Sequence, residues 1–178
     1  QRALQSIAYD STARDSETNT ARSAYLADSG ATLILDFLYG TIGQVTLTAE
    51  VTAIQSTTSG TYTDLTTAGP TVTVTTGTKA LVLMTALIDP STVSGANLIF
   101  YVGCDITGAT TQSPDGNNYD SLAIWPRGAA MGIRATAAVL FTGLTAGSNV
   151  FKLMYRSGDG SSTGYFRSRQ IVVIDMGS

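Results

Sequence analysis

Asp115 and Asp120 flank the polar run Pro114-Asp115-Gly116-Asn117-Asn118. Two carboxylates this close in sequence can serve glycoside hydrolysis, one as acid and the other as base or nucleophile. They can also supply oxygen ligands to Ca²⁺. The run lacks the spacing of an EF-hand loop, and no Glu closes it. A solvated turn that uses Asp, Gly and Asn for their backbone tolerance is the plainer reading. Ser157-Gly158-Asp159-Gly160-Ser161-Ser162 has the glycines of a phosphate loop. It lacks the Gly-Lys-Ser/Thr ending and a following helix, so a hairpin loop is expected. Trp125, with Pro126, Arg127, Tyr119 and Tyr101, can form an aromatic platform on which a sugar ring stacks. The alternative is a half-buried strand-end anchor or a subunit contact. Arg167 and Arg169 lie two apart on an expected strand, so they should share a face. There they would pair with acids of a neighbouring chain or face solvent.

Histidine is absent, which excludes Ser-His-Asp and Cys-His catalysis and His-containing zinc sites. The single Cys104 excludes an intrachain disulfide and a four-cysteine metal site. It sits in the apolar run Leu98–Cys104 and reads as a small buried hydrophobe. No catalytic residue, metal or cofactor is expected, and the chain reads as a non-enzyme. The net charge is -3, with two lysines and eight scattered arginines, so the basic footprint of a nucleic-acid binder is missing. No apolar run is long enough for a transmembrane helix, and no signal-peptide pattern is present. The sequence begins at Gln1 and not at Met, as a fragment or a processed product does.

The elements that must position these residues are strands. Charged residues are only 13% of the chain, while 43% are hydrophobic. Solubility therefore rests on hydroxyls, or on burying surface against partners, and homo-oligomerisation is expected. Threonine supplies the hydroxyls: 15 of them fall between Thr41 and Thr78, many alternating with Val or Leu. A β-branched hydroxyl residue suits a strand with one dry and one wet face.

Expected strands are 45–54, 62–66, 71–75, 79–88, 96–106, 119–125, 130–141, 150–156 and 165–176, with turn signals about every 10 residues. The 79–88 run is apolar on both faces and should be central. This pattern predicts an all-β fold, an antiparallel β-sandwich with a jelly-roll-like knob, over residues 44–178. Residues 1–43 differ, being rich in Ala, Ser, Thr, Asp and Arg, and their heptads are poor. They read as an extended or helical anchoring arm that orders against neighbouring chains. The arm ends in the apolar run 31–39, a helix or a strand, whose Leu33, Phe37 and Tyr39 are candidate subunit contacts together with Arg167 and Arg169.

The stretch from Ser56 to Val82, with its Tyr62-Thr63-Asp64-Leu65 and Gly69-Pro70-Thr71-Val72, resembles a module common in tailed bacteriophages. It occurs there in minor tail proteins and in short tail-fibre or head-fibre proteins. The runs Gly143–Arg156 and Ser168–Ile174 look like the same module, so the likeness covers about 45 to 176. The resemblance implies a non-enzymatic virion protein, a homotrimeric knob that serves as a tail fibre, minor tail protein or receptor-contacting tip. Its arm, 1–43, would hold other virion proteins of the tail or capsid. A host surface glycan is the further partner it implies, with neither nucleic acid nor membrane insertion. Candidate glycan or receptor contacts are Trp125, Arg127, Tyr119, Asp115 and Asn117. A capsid decoration or head-fibre protein with 1–43 lying along the capsid is the first alternative. A carbohydrate-binding module of a secreted protein is the second.

Overall fold

A computed structural model describes residues 46–90, 99–115, 121–125 and 132–177. The expected arm 1–43, including Leu33, Phe37 and Tyr39, lies outside the described residues. So do Asn117, Tyr119 and Arg127. The described residues belong to one compact unit that begins at Val45.

Alternation of apolar and hydroxyl residues does what it should. In Thr71–Thr76 the threonines 71, 73 and 75 are exposed while Val72 and Val74 are buried. Among the described residues nine strands form: β1 (Thr46–Val51), β2 (Gln55–Thr57), β3 (Thr71–Thr76), β4 (Lys79–Pro90), β5 (Phe100–Gly108), β6 (Ser121–Ile124), β7 (Ile133–Thr142), β8 (Gly147–Ser157) and β9 (Gly164–Asp175). One sheet runs β1-β9-β4-β7, with β2 paired to β9, and the other runs β3-β8-β5-β6. All pairings are antiparallel. Set β2 aside, and the remaining eight strands have the jelly-roll order expected from the sequence. The 79–88 run is indeed central, lying between β9 and β7.

The core lies between the sheets. Phe100, Val102, Cys104 and Ile106 of β5 and Phe151, Leu153 and Tyr155 of β8 face Val82, Met84, Ile88, Phe166, Ile171 and Val173 of the larger sheet, all essentially inaccessible to water. Each such side chain contributes about 1.5–3 kcal/mol through burial. Phe100 meets Phe166 edge to face at 6.4 Å, the arrangement aromatic quadrupoles favour. Asn149, fully buried on β8, is satisfied throughout: its amide nitrogen donates to Thr76 Oγ1 (2.8 Å) and the Thr145 carbonyl (3.0 Å), and its oxygen accepts from the Thr110 N–H (2.7 Å). One amide thereby joins β3, β8 and two loops.

Three expectations are corrected. The 62–66 stretch is a loop joined to β8 by a single β-bridge, Thr63 to Tyr155, and the extra strand is β2, between the expected strands 45–54 and 62–66. The 157–164 segment is no hairpin loop: β8 and β9 lie in different sheets, and the loop carries the chain from one to the other. Arg167 and Arg169 do not share a face. In β9 the register against β4 shifts between Thr85 and Leu87, and Ser168 there takes the left-handed φ of 46°. The resulting bulge resets the alternation, so that Phe166 and Arg169 both point inward while Arg167 points outward. Arg167 pairs with Asp89 of its own chain, Nε to Oδ2 at 3.0 Å. Arg169 is 0% exposed, so it is part of the core and not a contact for another subunit.

The inter-sheet loop has its own organising acid. Asp159 accepts from the Ser157 hydroxyl (2.7 Å) and from the Ser161 and Ser162 amides (3.0 and 2.9 Å), as well as from the Ser162 hydroxyl. Those Ser162 bonds first, and the others after them, hold its carboxyl far below the usual carboxylate range. A depressed folded-state pKa stabilises above the unfolded value of about 3.9 and stops doing so only as pH falls through the folded one. The Ser161 and Ser162 amide resonances should therefore hold their positions from pH 7 to about pH 3 and move only in stronger acid. A midpoint near 4 would show that the bonds do not persist in solution.

Candidate functional site on the outer face of the smaller sheet

Residues of β5 and β8 that point away from the core meet in pairs: Tyr101 beside Arg156, Gly103 beside Met154, Asp105 beside Lys152. The Arg156 guanidinium carbon lies 4.2 Å from the Tyr101 ring centre and 5.1 Å from that of Tyr62. Tyr62 arrives from the loop before β3. The loop is fastened by reciprocal hydrogen bonds between Thr63 and Tyr155 (3.0 Å each) and by the Lys152–Asp64 ion pair at 2.9 Å. Gly103 makes room for the arrangement. A Cβ there would come within 2.4 Å of the Pro114 Cβ and 2.8 Å of Tyr62 Cε1. Pro114 is held over the sheet by the loop after β5, where Gln112 pairs with Ile106 through two backbone bonds of 2.8 and 2.9 Å.

Tyr62, Pro114, Met154, Arg156, Asp105 and Asp115 line an open cleft of about 400 Å³, together with Gly60, Thr61 and Ser113. The guanidinium lies close to two aromatic rings, a cation–π arrangement that holds the arginine in the cleft. Arg156 Nε is buried without a hydrogen-bond partner. Two carboxylates offer acceptors, one guanidinium offers donors, and Tyr62 and Met154 supply polarizable apolar surface. Such a set can hold a polyhydroxylated ring by stacking and by hydrogen bonds. Beyond the cleft the face continues in the exposed threonines of β3.

Of the glycan candidates chosen from sequence, Asp115 lines this cleft. Trp125 follows β6 directly with its side chain 57% exposed, which makes it a surface residue and not a half-buried anchor. Tyr101 lies on β5, and Trp125 directly follows β6, the strand paired with it. Tyr62, Asp105, Met154 and Arg156 escaped sequence reasoning. Gly103, inside an otherwise apolar strand, was the available signal, since such a glycine often marks a close approach by another segment. Among the described residues no group of three or more acids and cysteines is placed to hold a metal ion, and no helix is long and apolar enough to cross a membrane.

No protein-family model matches this chain, and neither does any curated protein sequence. Among solved structures the chain is similar to the CBM22-1 xylan-binding domain from Paenibacillus barcinonensis Xyn10C. The identity is 13% and the TM-score 0.30, over 72% of this chain and 86% of that one. It is also similar to a family two carbohydrate esterase from Cellvibrio japonicus, with 15% identity and a TM-score of 0.26 over 75% of this chain. It spans about a third of the esterase, 34%. Overlaps this loose carry no functional weight, and the description of the fold rests on the strand order itself.

Proposed function

We propose that this domain is a non-enzymatic adhesion knob that grips a carbohydrate in the Tyr62–Arg156 cleft and works in several copies on a virion. The observation that carries the binding reading is the cleft itself: a guanidinium stacked between Tyr62 and Tyr101, beside Asp105, on a face left open to solvent. Glycan-array screening followed by calorimetry tests it. Arg156→Ala and Tyr62→Ala should each weaken the best ligand about ten-fold, the loss of roughly 1.4 kcal/mol of stacking and hydrogen bonding. Full binding in both variants would rule the cleft out.

Support for multiple copies comes from the opposite side of the molecule. On the outer face of the larger sheet, Ile174, Leu81 and Leu140 form one row across three strands, and Val172, Leu83 and Ala138 the next. None of these residues is buried, and Leu140 is 54% exposed. A contiguous apolar face on a chain with so few charges is a surface for other protein, either further copies or the virion proteins that carry the knob. Copies facing the same way turn weak single sites into strong attachment. The resemblance to tailed-bacteriophage modules favours a fibre or minor tail tip, with capsid decoration as the variant in which 1–43 lies along the shell. A homotrimer by light scattering, dissociated by Leu140→Lys, is the expected result. A glycan-binding monomer would move the reading to the carbohydrate-binding module of a secreted protein.

A further inference from the structure

Resting on the carbohydrate reading of the cleft, we infer that the binding surface is a line and not a single pocket, and that its ligand is a neutral, linear oligosaccharide. Trp125 forms the far end of that line. β6 runs antiparallel to β5 with Ala123 opposite Tyr101 and Ile124 opposite Phe100, so Trp125 comes level with Ile99. Alternation puts Trp125 on the same side as Ala123, the outer side, because Leu122 and Ile124 are buried. From the level of Ile99 to Asp105 is six residues, about 20 Å along the strands. A single sugar ring cannot reach from the Trp125 indole to the Asp105 carboxylate, whereas a short chain of rings can.

What lies between favours a chain. Past Trp125 comes the small Ala123, which is exposed and leaves the path low, and then the Tyr101–Arg156–Tyr62 stack. Beyond the stack the cleft is lined by Met154, Asp105 and Asp115. Aromatic faces at one end and in the middle, with hydroxyl acceptors at the other end, suit successive rings that alternate apolar faces with equatorial hydroxyls. Charge then selects the class. Two carboxylates face one guanidinium in the cleft, on a chain of net charge -3. A uronate or sialylated chain meets repulsion there, while neutral hydroxyls donate to the carboxylates.

Calorimetry on the full chain tests both parts. The probes are linear neutral gluco- and manno-oligosaccharides of one to six residues, with oligogalacturonates of the same lengths beside them. Affinity should climb with length by ten-fold or more and then level off once the line is filled. Trp125→Ala should weaken the longer ligands about ten-fold and leave the single sugars unchanged, while Trp125→Phe restores most of the loss. Arg156→Ala should weaken every length. Trp125 is exposed, so its variants are expected to fold, and their melting temperatures check that directly. Affinity independent of length, an inert Trp125→Ala, or tighter binding of galacturonates would overturn the line while leaving the cleft as a single sugar pocket. If no neutral sugar of any length binds, the carbohydrate reading falls and the line with it.

Discussion

Gly69→Ala is expected to cost about 3 kcal/mol or more and to leave much of the protein unfolded at physiological temperature. Gly69 and Pro70 lie between the expected strands 62–66 and 71–75. In the fold, Gly69 lies flat against the backbone of β8. A methyl group there would sit 1.9 Å from the Leu153 carbonyl oxygen and 2.8 Å from its carbon. Backbone atoms cannot rotate away as a side-chain end can, so either β8 or the incoming chain must move. Movement would break the hydrogen bond from the Leu153 N–H to the Pro70 carbonyl, 3.1 Å, just where β3 begins to pair with β8 at Thr71 and Lys152. The Tyr155 hydroxyl, 3.2 Å from the same methyl position, closes the remaining escape. Urea unfolding is the measurement, and the midpoint should fall with an unchanged slope. A midpoint shift worth less than about 0.5 kcal/mol would mean that the close approach relaxes freely.

Arg169 should respond in opposite directions to two substitutions. Its side chain is entirely buried, its guanidinium carbon 5.2 Å from the Tyr155 ring centre. Nη2 donates to Gln55 Oε1 at 2.9 Å and to the Ala53 carbonyl at 3.4 Å, while Nε and Nη1 have no hydrogen-bond partner. Neither ion pair of the described residues involves it. A guanidinium keeps its proton in any protein, so the charge must be carried into the core. Burial also pushes the Tyr155 hydroxyl well above its ordinary range, with the Arg169 charge and its side-chain hydrogen bond pulling the other way. Arg169→Met keeps the length and the contact with Tyr155 and discards the buried charge. The two acceptors of Nη2 are not stranded, because Gln55 Oε1 keeps the Thr67 N–H at 3.2 Å and Ala53 is exposed. A gain of about 1–2 kcal/mol is expected, which raises the melting temperature by several degrees. Arg169→Ala removes the same charge but leaves a hole beside Tyr155, and it should cost about 2–4 kcal/mol. Two melting curves decide the matter. If the methionine variant melts below the natural protein, the guanidinium has a stabilising role that its contacts do not account for.

The two arginines of β9 also mark where sequence reading stops. Alternation placed every strand that builds the sandwich core, because period-two burial leaves its trace in neighbouring residues. It could not reveal the Ser168 bulge, since a bulge is one residue out of phase and Ser carries no signal for a positive φ. Arg169 consequently looked like a surface residue. The candidate site was half legible for a related reason. Trp125 and Asp115 announce themselves by type. Tyr62 and Arg156 are 94 positions apart and acquire meaning only when β8 aligns with β5 and the loop before β3 folds across Gly103. Register between distant strands is decided by the whole core, and no local stretch encodes it.

The order of strands has a consequence for how the chain comes off the ribosome. β9, the last of the described strands along the chain, sits inside the larger sheet, between β4 on one side and β1 and β2 on the other. Until it emerges, β1 and β2 have no partner in that sheet, and β4 is bordered by β7 alone. The threonine-rich strands β1 and β3 must therefore stay unpaired until β9 and β8, respectively, have been made. Hydroxyls in place of exposed leucines keep that waiting chain from finding another like it.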